Sequence, residues 1–191
     1  MANPVPNREA GADPSMRLWT MIETARAVLH AEELAATSRD GAPRLAGFVF
    51  GPNDISRETR IRMQPGRAIM LPMIIHCILA TRAYGLEILD GPYSDFSNID
   101  GFNQECAQAR DLGFDGKTLI HPSQIEACNA IFTPPDEEIA RARKIIAAFE
   151  LPENVSRGAI RLDGAMVERL HADMAKRTIE IADAIAAMGK G

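Results

Sequence analysis

Four short apolar runs, each followed by a helical pattern, recur at even spacing through most of the chain. They occupy residues 17–22, 45–50, 86–89 and 117–120. Helical patterns follow at residues 24–38, 72–84, 101–112 and around 125–131. Repeated strand and helix units call for parallel strands joined by helical crossovers, because a tight turn cannot connect parallel neighbours. The sequence therefore predicts an α/β fold built on a parallel sheet.

The pattern changes after the Pro134–Pro135 pair. A charged helix over residues 136–149, a hairpin turning at Asp163 and Gly164, and a last helix over residues 168–187 replace the repeating unit. At the other end, residues 1–16 contain three prolines and show no periodicity, which favours a flexible leader. We therefore expect a leader over 1–16, a strand and helix region over 17–133, and a C-terminal appendage over 134–191.

Composition and charge disfavour several classes of function. The net charge is -5 with no basic block, so we expect no nucleic-acid partner. The longest apolar stretch, residues 68–75, is broken by Pro72 and is too short to cross a bilayer. No secretory signal is visible, and the three cysteines lack a CxxC spacing. We expect a soluble, cytoplasmic protein without membrane contact and with reduced, packed thiols.

An acidic residue or a histidine follows each of the predicted strands. Glu23 comes after the first strand, Asp54 after the second, Asp90 and Asp95 after the third, and His121 after the fourth. The C-terminal ends of parallel strands meet at one edge, where ligands gather. Two carboxylates on neighbouring strands suit Mg²⁺, which commonly takes one or two carboxylates plus water. A capping role, in which Asp54 bonds amides of the loop that follows, is the alternative for Asp54, and a turn that caps the next helix is the alternative for His121.

Five segments in order resemble one known family. They are MIETARAVL (21–29), LAGFVFGPNDIS (45–56), GLEILDGPYSDF (85–96), GFDGKTLIHPSQIEACN (113–129) and LDGAMVERLH (162–171). Together they are similar to the citrate lyase beta-subunit-like enzymes of the HpcH/HpaI aldolase superfamily, which include malyl-CoA lyases and other CoA-ester lyases. Several ordered motifs are far more specific than any one of them.

The resemblance implies a (β/α)8 barrel of the TIM type with a C-terminal extension, assembled as a homo-oligomer, a trimer or a multiple of one. Residues 17–133 then form the C-terminal half of a barrel, and 134–191 a lid. By resemblance, Glu23 and Asp54 match the carboxylates that bind Mg²⁺, and Glu168 matches the proton-transfer residue that the lid offers to a neighbouring subunit. The resemblance assigns no role to four further residues at the rim, which are Asp90, Asp95, Lys117 and His121.

The function implied by the resemblance is Mg²⁺-dependent carbon–carbon cleavage of a 3-hydroxyacyl-CoA, of the malyl-CoA or citryl thioester type. The products are a 2-oxo acid and an acyl-CoA, so CoA thioesters and 2-oxo acids are the expected partners. An acyl-CoA thioesterase is the alternative within the family, because water can attack the acyl group with the same metal geometry.

The expected size of the barrel leaves further alternatives. Eight strand and helix units need about 200–250 residues, and this sequence supplies four units. In the family, an arginine binds the substrate carboxylate. None of Arg17, Arg26 and Arg57 matches that arginine by motif. A second chain or a second copy supplies the missing half, or the chain is a truncated relative without activity, or it is a non-catalytic assembly module.

Overall fold

The computed structural model describes Asp13 and residues 15–40 and 44–188. Most of the predicted leader lies outside the described residues. The chain divides into two compact units between Phe132 and Thr133. Within the described residues, no helix combines the length and the apolar character needed to span a membrane.

The first unit contains a four-stranded sheet in the order β1-β2-β3-β4, and each neighbouring pair is parallel. The parallel α/β architecture predicted from the sequence is confirmed. The strands are β1 Leu18–Ile22, β2 Leu45–Phe50, β3 Glu87–Asp90 and β4 Gly116–Lys117. The helices are α1 Ala25–Leu29, α2 Ala31–Ala36, α3 Pro52–Thr59, α4 Leu71–Ala83, α5 Ile99–Leu112 and α6 Ile125–Phe132.

Two elements of this unit differ from the prediction. Strand β4 has two residues instead of four, because the Gln124 side chain accepts from the backbone N–H groups of Ile120 (3.1 Å) and His121 (3.3 Å). Those donors are thus bound outside the sheet. No helix was predicted over residues 52–59, where α3 lies. It begins with Pro52 in its first turn, which suits a helix start, and ends where Arg60 adopts a left-handed conformation (φ 62°).

The sheet has one buried face and one open face. Phe48, Phe50 and Ile88 alternate onto the helix-facing side and are fully buried in the core. On the other side, Trp19 and Met21 of β1 are 43% and 49% exposed. Parallel sheets are normally covered on both faces. Among the described residues, this apolar face therefore has less cover than its strand type usually requires.

The second unit is an antiparallel hairpin with two helices. It comprises α7 Asp136–Glu150, β5 Ala159–Leu162, β6 Ala165–Glu168 and α8 Arg169–Met188. Asp163 (φ 49°) and Gly164 (φ 83°) form the two-residue turn, and two positive φ values give the twist that hairpin strands need. Ile145, Phe149 and Val167 pack in the core of this unit. The last helix begins one residue later than predicted, since Glu168 ends β6.

Two adjacent isoleucines of α4 test where the core of the first unit lies. Ile74 is 0% exposed and Ile75 is 44% exposed. We expect Ile74→Ala to lower the free energy of unfolding by about 2–5 kcal/mol, through lost burial and a residual cavity. Ile75→Ala is the matched control and should stay within about 0.5 kcal/mol of the parent. Urea denaturation of both variants measures the difference, and equal losses would contradict the assigned helix face.

Candidate functional site

Glu23 lies at the turn between β1 and α1. It follows the last residue of β1, and Thr24 then caps α1 by accepting from the backbone N–H of Ala27 (3.0 Å). The backbone N–H of Gly51 donates to the carbonyl of Ile22 at 2.8 Å. A Cβ at Gly51 would lie 2.6 Å from the Cβ of Glu23. The absence of a side chain at Gly51 therefore lets the start of the next loop lie directly against Glu23.

Asp54 lies in the first turn of α3, just after β2 ends. The N-terminal end of a helix favours a carboxylate, because the helix dipole is positive there. An Asp54 oxygen lies 2.9 Å from an Arg57 guanidinium nitrogen, and the Arg57 side chain is 81% exposed. Exposed pairs of this kind contribute little free energy. The Asp54 carboxylate can therefore exchange this partner for a cation at small cost.

These two carboxylates come from neighbouring strands at the same edge of the sheet. Ile22 and Phe50 are register partners in the parallel β1–β2 pair, so Glu23 and the Gly51 loop follow the strands side by side. Among the residues described, no group of three or more acidic, histidine or cysteine side chains is arranged to hold a metal. Mg²⁺ commonly takes one or two carboxylates and completes its octahedron with water and substrate oxygens. The donor chemistry of Glu23 and Asp54 fits that ion.

Asp90 and Lys117 lie in a buried ion cluster. The Asp90 carboxylate accepts from Arg67 Nη1 at 2.8 and 2.9 Å and from Lys117 Nζ at 2.8 Å. Lys117 also donates to Glu105 at 2.7 Å, and Gln108 accepts from Arg67 Nε at 3.0 Å. We call Arg67, Asp90, Glu105 and Lys117 the ion cluster. It contains two positive and two negative side chains, so the buried charges balance.

Asp90 and Lys117 lie at strand ends, where the sequence placed them, but they are not open to solvent. They are register partners in the β3–β4 pair, and both are buried. Because side chains alternate along a strand, these two point to the same side as Ile88, whose side is covered by helices. The sequence prediction missed Arg67 and Glu105, which complete the cluster. Neither belongs to a local motif, and Arg67 reaches Asp90 from 23 residues away.

Asp95 and His121 lie in exposed loops after β3 and β4. Asp95 accepts from the Ser97 hydroxyl (2.6 Å) and backbone N–H (3.3 Å), as a turn-forming aspartate does. His121 Nδ1 accepts from the backbone N–H of Ser123 at 3.2 Å, and its ring stacks on Phe96 with centroids 4.8 Å apart. His121 thus caps the short 3-10 turn over residues 122–124, which is the alternative that the His-Pro sequence left open.

A cavity of about 680 Å³ opens beside the segments that follow β2 and β3, and its lining includes Asn53, Asp95, Arg67 and Glu105. Neither Glu23 nor Asp54 lines it. The ion cluster therefore contributes two of its members to the wall of the cavity, whereas the two carboxylates suited to a metal lie outside that wall.

Glu168 belongs to the second unit. It is the last residue of β6, it is half-buried, and its backbone N–H donates to His171 Nδ1 at 2.9 Å. The hairpin fixes its backbone on one side and α8 begins at the next residue. Glu168 is therefore held at a strand-to-helix junction, and the other predicted site residues all belong to the first unit.

Comparison with known proteins gives consistent results. A family model described as HpcH/HpaI aldolase/citrate lyase matches residues 2–122. A (3S)-malyl-CoA thioesterase from Cereibacter sphaeroides is 47% identical over 174 residues, which cover 91% of this chain and 59% of that protein. The citrate lyase subunit beta of Haemophilus influenzae is 33% identical over 173 residues, covering 91% of this chain and 57% of that protein.

Solved structures give the same relationship. The protein CitE from Mycobacterium tuberculosis, in complex with magnesium, acetoacetate and coenzyme A, matches with a TM-score of 0.70 at 27% identity. That match covers 89% of this chain and 62% of the CitE chain. The chain therefore spans about three fifths of the length of the relatives that it matches.

The ion cluster makes a testable contribution to stability. We expect Asp90→Asn to lower the free energy of unfolding by about 3–5 kcal/mol, since Arg67 and Lys117 would remain buried without their shared counter-charge. Asp111→Asn is the matched control on the surface of α5, where the carboxylate pairs with Arg110. It should change stability by less than about 1 kcal/mol. Chemical denaturation measures the free energy of unfolding of both variants. An unchanged value for Asp90→Asn would rule out an essential role of the ion cluster in stability.

Proposed function

The chain belongs to the HpcH/HpaI aldolase/citrate lyase family, and from that membership we propose that it acts on the CoA thioester of a hydroxy acid of the malyl type. The family predicted from the sequence motifs is confirmed. One observation carries the proposal beyond the family: Glu23 and Asp54 follow the neighbouring parallel strands β1 and β2 at one edge of the sheet, and the Gly51 loop that precedes Asp54 packs against Glu23. That arrangement suits a divalent cation and a small oxygen-rich substrate.

We propose that Glu23 and Asp54 hold Mg²⁺. When bound there, the ion would polarise a substrate oxygen and stabilise negative charge that develops on it. The Gly51 backbone packs directly against the Cβ of Glu23, which holds Glu23 beside the loop that leads to Asp54. Asp54 exchanges its exposed partner Arg57 for the cation. Magnesium in the complex of the CitE protein supports the choice of metal.

Two reactions of one thioester are compatible with this edge. Hydrolysis breaks the carbon–sulfur bond of malyl-CoA after attack by water, and gives malate and CoA. Retro-Claisen cleavage breaks a carbon–carbon bond, and gives glyoxylate and acetyl-CoA. The 47% identity to a (3S)-malyl-CoA thioesterase favours hydrolysis, and the 33% identity to a citrate lyase subunit beta supports carbon–carbon cleavage as the second candidate. We therefore propose hydrolysis as the principal activity.

Glu168 is the proposed proton-transfer group. Its carboxyl belongs to a residue whose backbone is fixed by the hairpin and by the bond to His171 Nδ1. A group that transfers protons must be held still and must retain access to water, and half-burial at the end of β6 meets both needs. We propose that the second unit delivers Glu168 to the site of a neighbouring subunit.

The open face of the sheet supports a proposal about assembly. We infer that the first unit is the C-terminal half of a (β/α)8 barrel, and that a second copy or a complementing chain covers the face carrying Trp19 and Met21. Covering this face removes apolar surface from water and protects the free edge of the sheet. The complementing part would also supply the arginine that binds the substrate carboxylate, and a homo-oligomer is the expected product.

Metal binding tests the assignment of Glu23 and Asp54. We expect Glu23→Gln and Asp54→Asn each to weaken binding of Mn²⁺, used as a paramagnetic probe for Mg²⁺, by about tenfold or more, since each removes a charged ligand. Glu58→Gln is the matched control, because Glu58 is an exposed acid on the same helix as Asp54. Titration followed by electron paramagnetic resonance measures the free ion. Equal affinity in all four proteins would contradict the assignment.

Product analysis separates the candidate reactions. With (3S)-malyl-CoA and Mg²⁺, we expect free CoA and malate in equal amounts, and a loss of about tenfold or more in rate for Glu23→Gln. Equal amounts of acetyl-CoA and glyoxylate would instead establish the lyase. Light scattering on the same fractions gives the oligomeric state. A defined oligomer that binds Mn²⁺ but catalyses neither hydrolysis nor carbon–carbon cleavage would identify a non-catalytic assembly module, and both proposed activities would be wrong.

A further inference from the structure

His171 binds the backbone of Glu168, the residue proposed to transfer the proton. The backbone N–H of Glu168 donates to His171 Nδ1 at 2.9 Å. Helix α8 begins at Arg169, so Glu168 immediately precedes the helix and His171 is its third residue. A side chain at the third helical position that reaches back to the N–H before the helix is one half of a capping box. Glutamate or glutamine ordinarily supplies this acceptor, and here an imidazole nitrogen supplies it.

We infer that His171 is a positioning residue for Glu168, and that its Nδ1 fixes the backbone from which the Glu168 carboxylate reaches the reacting atoms. The inference rests on the proton-transfer role proposed for Glu168. His171 acts through Glu168 and has no need to touch the substrate itself.

The Glu168 carboxylate takes its position from the backbone that carries it. In the part of the chain that the structure describes, this carboxylate forms no hydrogen bond and no ion pair. A misplacement of about 1 Å can cost a factor of about a hundred in rate, so a group that transfers protons needs a fixed attachment point. The hydrogen bond to His171 acts at that attachment point.

The residue after Glu168 is held as well. Arg169 donates its backbone N–H to the carbonyl of Gly158 at 2.9 Å. Its guanidinium donates to three backbone carbonyls of the loop after α7, those of Asn154, Val155 and Arg157. Arg169 therefore fixes the junction between β6 and α8 on the helix side, and the bond to His171 fixes it one residue earlier, at Glu168.

The same hydrogen bond specifies the state of the imidazole. Because Nδ1 accepts, it carries no proton, and the neutral ring carries its proton on Nε2. His171 also lines a cavity of about 220 Å³ together with Val167 of β6 and Glu138 and Arg141 of α7. The ring therefore lies beside both the hairpin and α7, which restricts its rotation away from Glu168.

Nuclear magnetic resonance tests this geometry without any turnover. In the full chain, at a pH above the range in which histidine titrates, we expect long-range nitrogen–hydrogen spectra to show the His171 proton on Nε2. The loss of this signal in His171→Gln assigns it. A proton on Nδ1 would overturn the inference, and this part of the test needs only the parent protein and one variant.

Hydrogen exchange at the Glu168 amide measures the hold on the backbone. We expect exchange about three- to tenfold faster in His171→Leu than in the parent, because the acceptor is lost. His171→Gln should return exchange to near the parent rate, since a glutamine oxygen at the third helical position can reach back in the same way. The residues that adjoin this amide are unchanged in all three proteins. Equal exchange in the three would contradict the inference.

Turnover of (3S)-malyl-CoA with Mg²⁺ measures the consequence for catalysis. We expect His171→Leu to lower kcat by about tenfold while KM changes by less than about twofold, because substrate binding is retained and proton transfer is misaligned. His171→Gln should restore most of kcat. His76→Leu makes the same replacement at an exposed histidine of α4 and should keep the parent kcat. Circular dichroism checks the fold of each variant.

Glu168→Gln separates failure of the inference from failure of the proposed function. A slow Glu168→Gln beside a His171→Leu that keeps the parent kcat would overturn the inference alone. A parent protein without turnover, or a Glu168→Gln that keeps the parent kcat, would overturn the proposed role of Glu168 and the inference with it. If both single variants are slow and the double variant is no slower than Glu168→Gln, the two residues act as one unit, as we expect.

Discussion

The ion cluster holds together the edge of the sheet on which the candidate site depends. Asp90 ends β3, and its carboxylate binds Arg67 from the segment before α4, Lys117 from β4 and the backbone N–H of Gly91. Glu105, which lies on α5, accepts a hydrogen bond from Lys117 and so links α5 to the cluster. A buried carboxylate is costly unless it is paired and hydrogen-bonded, and here every lone pair faces a donor or a cation. One residue at a strand end thus fixes four parts of the chain relative to one another.

Close contacts between backbone segments position the ends of the neighbouring strands relative to β3. A Cβ at Gly91 would meet the Pro52 ring and would lie 2.5 Å from the Phe50 carbonyl oxygen, so β3 and the start of α3 are in contact where Gly91 lies. Gly51 makes the equivalent approach to Glu23. The strand ends therefore pack as one layer. The position of Asp54, at the start of α3, is set by that layer even though its own side chain makes one weak ion pair.

The sequence predicted what local periodicity and chain geometry determine, and missed what distant contacts determine. Apolar runs identified the strands, the Asp163–Gly164 pair identified the hairpin, and Glu23 and Asp54 lie after strands β1 and β2 as the runs predicted. Strand β4 ends early because the side chain of Gln124 binds backbone donors that a periodicity cannot reveal. The same limit applies to Arg67 and Glu105, whose partners are remote in sequence.

Strand β1 lies at one edge of the sheet, directly before Glu23. In the sheet of the described residues, β1 pairs on one side with β2, and Glu23 follows its last residue. A parallel strand added to the free side of β1 would end beside Glu23, because parallel strands bring their C-terminal ends to one edge. Such a strand would extend the sheet in its own plane, so the face that carries Trp19 and Met21 needs elements packed on top of it to be covered. Covering that apolar face would be favourable by roughly 25 cal/mol for each Å² removed from water.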